Sequence, residues 1–261
     1  MINLLFQTIL PFILSAIIVI IITVIAEKYG TKVGGILGTL PSTIIIAFIF
    51  IALNKGTLFV SRTAAVVPAE MGINLIFLFM FTILVHKSTT FALIGSLTIW
   101  TLLSVLLFLT SLENMLISII IYIISLITTF LILEKIKKIQ SLGNVKVHYT
   151  PKKIILRGIT AGVVIAISVF LSNIDPTLSG IFSIFPAIFI STMLITVKEH
   201  GAEFSGAMAK SMIFGSQSVM TYVIAVYFLY PKFDILFGSI YSFLIALIMA
   251  LLLLKIRKKI I

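Results

Sequence analysis

The sequence predicts an all-α integral membrane protein with nine transmembrane helices, arranged as two inverted four-helix repeats plus a linking helix. Three observations lead to this fold class: an apolar composition, a series of long apolar runs, and a segment that occurs twice. The chain is 61% hydrophobic and only 10% charged, which leaves too little polar surface to cover a water-soluble domain. We therefore expect residues 1–261 to form a single transmembrane domain.

Nine apolar runs approach the roughly 20 residues that a helix needs to cross a bilayer. We place these spans at about 4–26, 34–53, 61–85, 90–110, 115–134, 154–172, 178–197, 206–230 and 235–254. The first repeat is then 4–110, the linking helix 115–134 and the second repeat 154–254.

The repeated segment reads GGILGTLPST from residue 34 and SGIFSIFPAI from residue 179, an offset of 145. The offset aligns Gly35 with Gly180, Pro41 with Pro186 and Gly56 with Gly201. Coincident isoleucines are common by chance in so apolar a chain, whereas coincident glycines and a proline are not. The alignment therefore indicates an internal duplication.

Basic residues cluster in a linker at 135–153, KIKKIQSLGNVKVHYTPKK, which the positive-inside rule places in the cytoplasm. Of 19 Lys and Arg, only Lys55, Arg62 and Lys232 then lie toward the outside, which leaves 19 − 3 = 16 inside. The N-terminus is expected outside and the C-terminus in the cytoplasm. Basic residues at span ends favour contact with lipid head groups over nucleic acid, so the lipid bilayer is the expected partner. The sequence does not define an oligomeric state.

The duplication and the span count together predict an inverted repeat. Five crossings separate equivalent points, so the second copy enters the membrane from the opposite side. Transporters built this way bind their substrates near the bilayer midplane, where the repeats meet. The alternative is a duplication that serves packing alone.

Part of the second half resembles the GlpM-like family of small bacterial membrane proteins. The resemblance is carried by Gly180, Phe185, Pro186, Phe214, Gly215, Ser218 and Tyr222. The first half departs from the pattern, with Ala69 and Glu70 at the positions of Phe214 and Gly215. The resemblance implies two fused copies of a unit of about four spans; the family has no settled activity, so it implies architecture more than function.

The prolines of the repeated segment are predicted to kink spans two and seven near the midplane. A proline inside a helix removes a backbone donor and frees the carbonyl four residues earlier, and that carbonyl needs a partner in hydrocarbon. The carbonyls concerned are those of Leu37 and Phe182. Pro41, Ser42, Thr43 and Pro186 are thus candidate substrate-binding residues. The alternative is a pair of packing kinks closed by neighbouring helices.

Span eight carries the most polar face of the chain. Gln217 and Ser218 lie near its centre and are candidate site residues, while Lys210 is expected to extend toward the inner surface. Asn74 is a weaker counterpart in the first half. Hydrogen bonds between helices, worth about 0.6 kcal/mol each, are the alternative explanation.

Glu70 is the one acidic residue predicted inside a span, about two turns after Arg62. A carboxylate at that depth is costly unless it is protonated, paired or hydrated, which suits a proton-coupling group. The alternative is that span three begins near Met71, so that Glu70 lies at the outer interface.

Other chemistry finds no support in the sequence. The chain has no cysteine, its three histidines (His86, His148 and His200) are far apart, and no catalytic or nucleotide-binding motif is present. We expect no enzyme activity, no metal and no cofactor. The predicted function is secondary transport of a small solute, with Glu70 as the protonatable group if the transport is coupled to protons; the sequence does not identify the coupling ion. The alternative is a non-transporting membrane scaffold or assembly partner, and a channel is the third candidate.

Overall fold

A computed structural model describes residues 5–37, 40–139 and 150–260. Its helices are α1 (Leu10–Leu37, preceded by the π-helical turn Leu5–Ile9), α2 (Ser42–Lys55), α3 (Thr57–Leu84), α4 (Thr89–Leu109), α5 (Met115–Leu131, followed by the π-helical turn Ile132–Ile136), α6 (Pro151–Leu171), α7 (Pro176–Ser183), α8 (Ala187–Leu229) and α9 (Ile235–Ile260). These ranges contain no strand, and the predicted all-α class is confirmed. The start of the first predicted span and most of the 135–153 linker lie outside the described residues.

The helices suit a membrane. Within the described ranges, seven helical stretches are long and apolar enough to cross a bilayer. Large apolar side chains cover the outer faces of the peripheral helices, as at Leu102, Leu106, Leu116, Ile124, Ile248 and Leu251. In water such a surface would be costly, whereas lipid solvates it. Composition and structure agree on a membrane protein.

Helix α3 lies at the centre. Its apolar stretch is 78% buried, compared with 28% for α4. Helices α4, α5, α7 and α8 all pack against it. The second limb of α8, residues 202–229, is similarly buried along most of its length. The two central helices therefore carry the residues most shielded from lipid.

The two halves repeat one backbone pattern. Pro41 precedes α2 and Pro186 precedes α8, with φ/ψ of −73°/37° and −75°/31°. Fourteen residues after each helix start, a glycine breaks the helix at φ near +88°: Gly56 between α2 and α3, and Gly201 within α8. Helix α3 thus matches the second limb of α8, and α4 matches α9.

The halves differ at their beginnings. In the second half α6 and α7 are separate helices, whereas in the first half α1 is one helix that continues to Leu37. The sequence predicted that one span ends at residue 26 and the next begins at residue 34. This boundary is wrong, because a single helix covers both positions. Gly35 lies within α1, and Gly180 lies within the short helix α7.

Equivalent helices pack in antiparallel pairs. A Cβ added to Gly162 of α6 would lie 2.6 Å from the Phe12 carbonyl oxygen of α1, and one added to Gly158 would lie 2.9 Å from that of Ala16. The later residue of α6, Gly162, contacts the earlier residue of α1, Phe12, so the two helices run in opposite directions. Glycine is needed at both positions because a side chain would displace the partner backbone.

Candidate functional site

The prolines start helices; they do not kink them. Pro41 and Pro186 are the residues immediately before α2 and α8. Proline suits a helix start because the amide it lacks would have no partner there. The predicted mid-helix kinks are corrected to complete helix breaks.

The carbonyl freed by the second break is that of Ile184, not that of Phe182. The Phe182 carbonyl accepts a hydrogen bond from the Phe185 amide at 3.2 Å. The Ile184 carbonyl accepts one from Nδ2 of Asn74, at 2.8 Å. A side chain of α3, in the first half of the chain, therefore supplies the hydrogen bond that the Ile184 carbonyl needs at the break in the second half.

The helices that follow the two breaks begin alike. The Ser42 amide donates to Leu40 at 2.7 Å, and the Ala187 amide to Phe185 at 2.8 Å. Among the described residues, neither start has a side-chain cap, whereas Asp175 caps α7 by accepting from the Leu178 amide at 3.0 Å. The positive ends of two helix dipoles are left without a capping oxygen.

Both breaks open on one cavity of about 60 Å³. Its lining includes pairs of residues related by the offset of 145: Leu40 and Phe185, Pro41 and Pro186, Thr43 and Ile188, Ile44 and Phe189, and Met71 and Ser216. Thr43, Ser183 and Ser216 supply its side-chain hydroxyls. The space admits a few water molecules or a solute of similar size.

The cavity lies where the two central helices cross. Ser61 of α3 donates to the Tyr227 carbonyl of α8 at 2.9 Å. At the other end, a Cβ on Gly206 would lie 3.1 Å from Cγ2 of Thr82. The offset converts one contact into the other (206 − 61 = 227 − 82 = 145). Met71 and Ser216 lie midway between these contacts.

The predicted site residues divide into two groups. Pro41, Thr43 and Pro186 line the cavity. Ser42, Gln217 and Ser218 are not among its lining residues. Ser42 borders an apolar groove between α2 and α9.

Gln217 and Ser218 thus lie outside the lining of this cavity, and their role in substrate binding stays a prediction. The Gln217 amide donates to the Phe214 carbonyl at 2.9 Å, and the Ser218 hydroxyl to that of Gly215 at 3.1 Å. Both bonds stay within α8. Ser216 faces the cavity instead, and its hydroxyl lies 2.8 Å from that of Tyr122 on α5.

Glu70 lies in the middle of α3 and is completely buried. The helix begins at Thr57 and not near Met71, so Glu70 does not lie at a helix start. Its Oε1 accepts a hydrogen bond from Ser104 of α4 at 2.8 Å. Oε2 has no hydrogen-bond partner within the described part of the chain. Arg62 is exposed, as expected for an anchor at the head groups.

Sequence reasoning gave Asn74 little weight and missed Ser104 and Trp100. The Trp100 indole packs edge-on against Phe185, with ring centroids 4.9 Å apart. Its N–H interacts with the Glu70 carboxyl group, outside standard hydrogen-bond geometry. Trp100 and Ser104 are four residues apart and so share a helix face. This spacing was the available signal, but nothing in the sequence shows that α4 meets Glu70.

Lys210 is buried and paired, where the sequence predicted extension toward the surface. Its Nζ lies 2.6 Å from Oε2 of Glu134, beyond α5, and 2.5 Å from the Ile139 carbonyl oxygen. Arg157 of α6 is also buried and donates from Nη1 to Thr192 at 2.8 Å. Both cations connect different segments of the chain.

The histidines form no metal site in the described ranges, where no group of three His, Cys, Asp or Glu converges. His86 borders a polar cleft of about 420 Å³ with Lys137, Lys138 and Glu203. His200 packs on Phe204, with ring centroids 4.5 Å apart. His148 lies outside the described residues.

Comparison with known proteins gives one family. The family described as "Protein of unknown function (DUF3147)" matches residues 8–113 and again residues 154–259. The two matches fit the expected tandem of fused units. The resemblance to the GlpM-like family is not part of this result and stays a prediction. No curated protein and no solved structure matches the chain.

Proposed function

The chain belongs to the DUF3147 family as a tandem of two copies, and on that premise we propose that it is a secondary transporter of a small solute. Two inverted repeats related by a pseudo-two-fold axis in the membrane plane would form it. The observation that carries the proposal is the pair of equivalent helix breaks, before α2 and before α8, that open on one cavity.

The described helices support nine crossings. Seven stretches are long enough, and one of them, Pro176–Leu229, has 54 residues and contains the break before α8 and the turn at Gly201. Counting it as two crossings and adding the shorter apolar helix Ser42–Lys55 gives 7 + 1 + 1 = 9. With an odd number of crossings the two termini would lie on opposite sides of the membrane, and the positive-inside rule would put the N-terminus outside and the basic linker and C-terminus in the cytoplasm.

The antiparallel contacts support the inversion. The contact between Ser61 and Tyr227 and that between Thr82 and Gly206 are images of each other under the offset. A two-fold axis between Met71 and Ser216 would relate them, and both residues line the cavity. The site would then lie at the repeat interface, where transporters with inverted repeats bind substrate.

The cavity favours a small solute. Its volume of about 60 Å³ is far below the roughly 300–1,000 Å³ of pockets for drug-sized ligands. The uncapped helix starts and the hydroxyls of Thr43, Ser183 and Ser216 supply polar groups. Glu70 is one residue from Met71 in the cavity wall and is the proposed coupling group.

Thiol labelling tests the proposal, since the natural chain has no cysteine. Thr43→Cys and Ser216→Cys, in sealed vesicles of known orientation, should react with a membrane-impermeant maleimide from one side. Water reaches a transport site in at least one of its conformations, so labelling is expected. Ile248→Cys, on the outer face of α9 and 59% exposed, is the control and should stay unlabelled in lipid.

A non-transporting scaffold would keep both breaks dry. Absence of labelling at Thr43→Cys and Ser216→Cys from either side, in folded protein, would therefore contradict the transport proposal. If labelling occurs, Glu70→Gln should abolish pH-driven flux of a labelled solute; flux that is unchanged would exclude Glu70 from coupling.

A further inference from the structure

Three buried polar atoms without hydrogen-bond partners belong to residues that adjoin or contact the cavity-lining residues Met71, Ile184 and Phe185, a region called the compartment below. Across the described residues, Oε2 of Glu70, Oδ1 of Asn74 and Nε1 of Trp100 make no hydrogen bond of standard geometry. Glu70 and Asn74 are completely buried, and Trp100 is 6% exposed. A buried acceptor without a partner costs about 1–3 kcal/mol. Two such oxygens on neighbouring side chains of one helix face call for a binding partner.

The contacts close around this compartment. Glu70 and Asn74 are four residues apart on α3, so their side chains are neighbours on one face. Ser104 holds Oε1 of Glu70, and Trp100, one turn earlier on α4, interacts with the same carboxyl group. Trp100 then packs on Phe185, whose neighbour Ile184 accepts the Asn74 amide. The residues thus form a closed ring between α3, α4 and the second break.

The Glu70 carboxyl group has no cationic side-chain partner among the described residues. In the parts of the chain that the structure describes, neither ion pair includes Glu70: one joins Lys210 to Glu134 and the other Lys153 to Glu199. A single carboxylate in a low-dielectric interior is stable only with a proton or a counter-ion.

Two titratable groups on the surrounding helices have partners of their own: Lys210 binds Glu134, and the Tyr122 hydroxyl lies 2.8 Å from that of Ser216. The ring of Tyr222 stacks on Phe48 with ring centroids 6.2 Å apart, and its hydroxyl makes no hydrogen bond of standard geometry to the described residues. Helices α4 and α7 contain no titratable side chain, and on α2 only Lys55 at the exposed end is titratable.

We propose that Glu70 and Asn74 bind one positive charge, a proton or a small alkali cation, through Oε2 and Oδ1, with the Ser104 hydroxyl beside them. Oxygen is the ligand that hard cations prefer. A charge on Oδ1 polarises the Asn74 amide and strengthens its hydrogen bond to Ile184. Occupancy would then hold the cavity wall in its present conformation, and so couple the ion to the transport site. This coupling rests on the proposed function; the binding does not.

The chain provides its own reporter, because Trp100 is its single tryptophan. Tryptophan emission of the purified full-length protein is recorded in N-methylglucamine buffer while Na⁺, Li⁺ or K⁺ is added at constant pH and ionic strength. A second series varies pH without alkali ions. A saturable response to Na⁺ or Li⁺ identifies an alkali site, and a response to pH alone identifies a proton site.

Variants show whether the emission response comes from cation binding at Glu70 and Asn74. Glu70→Gln should remove it, and Asn74→Val, which introduces the residue of the equivalent position Val219, should weaken binding on the order of 10-fold. Asn74→Asp keeps an oxygen at the position of Oδ1, beside Oε2 of Glu70. It is the second variant to be measured if the valine variant does not fold. Ser96→Ala is the control: Ser96 is buried on α4 but bonds only to its own helix.

The thermal midpoint is measured in parallel, since a cation that binds the folded state raises it. Emission and midpoint that respond neither to an alkali cation nor to pH, or that respond equally in the wild type and Glu70→Gln, would overturn the proposal. Because no solute is needed, a negative result here leaves the thiol-labelling test of transport unaffected. Conversely, a cation response without thiol labelling would mean an ion site in a protein that does not transport.

Discussion

Gly180 lies where α7 crosses α3 at close range. A Cβ at this position would lie 2.7 Å from the Thr63 carbonyl oxygen and 2.5 Å from Cγ1 of Val66. Neither atom can retreat easily, because one is backbone and the other belongs to a stiff β-branched side chain. The glycine of the repeated segment therefore serves close packing beside the second break.

We predict that Gly180→Ala lowers stability by about 1–3 kcal/mol through this overlap, measured as a lower thermal midpoint in detergent. Gly95→Ala is the matched control, because its Cβ would meet only the terminal Cδ1 of Leu84, at 2.9 Å. A flexible leucine can move aside, so the control should change the midpoint much less. Equal effects would contradict the packing role of Gly180.

Single residues show most clearly what the sequence could not supply. Glu70 was identifiable because an acid inside an apolar run is rare. That Ser216 lines the cavity and its neighbour Gln217 does not was unpredictable, because side-chain polarity does not reveal which way a residue faces on a helix buried on nearly all sides. Asn74 acquires its importance only from Ile184, which is 110 positions away in the chain.

At the scale of elements, the glycine turns at Gly56 and Gly201 are the most regular feature of the duplication. Their φ/ψ values, 88°/163° and 87°/177°, fall in a region that is accessible essentially to glycine alone. No atom lies within 4 Å of a Cβ added at either position. The need for glycine is thus conformational, in contrast to Gly180.

We predict that Gly56→Ala and Gly201→Ala each lower stability by about 1–3 kcal/mol, and by similar amounts. The reason is backbone strain, which is the same in both halves. The thermal midpoints of the two variants are compared. In the double variant the loss of stability should be nearly the sum of the two single losses, because the sites belong to different repeats. A large effect in one half only would show that the two turns are not equivalent.

The sequence located the helix breaks but not their form. A proline is compatible with a kink inside a helix and with a helix start, and hydropathy does not distinguish the two. The continuous helix α1 was also not predictable, because residues 26–34 contain charged and glycine residues typical of a loop. The aligned glycines and prolines did predict the breaks themselves.

At the scale of the whole molecule, the account depends on the antiparallel relation of the two copies. The offset of 145 and the parity of the crossings predicted it, since both are properties of the sequence order. Which helices touch was not predictable, because lipid-facing and buried apolar faces look alike in composition. The crossing of α3 with α8, and the central place of Met71 and Ser216, come from the structure alone.

Cysteine cross-linking in native membranes tests this relation most directly, and the cysteine-free chain provides a clean background. An antiparallel crossing brings together Ser61 with Tyr227 and Thr82 with Gly206. A parallel crossing would instead pair equivalent positions, Ser61 with Gly206 and Thr82 with Tyr227. Each of the four pairs is made as a double cysteine variant and oxidised.

The account predicts that both antiparallel pairs form disulfides, because the structure brings the two positions of each pair into direct contact. The two parallel pairs should stay reduced. Disulfides in the parallel pairs, with none in the antiparallel ones, would contradict the inverted repeat and the site proposed at its centre.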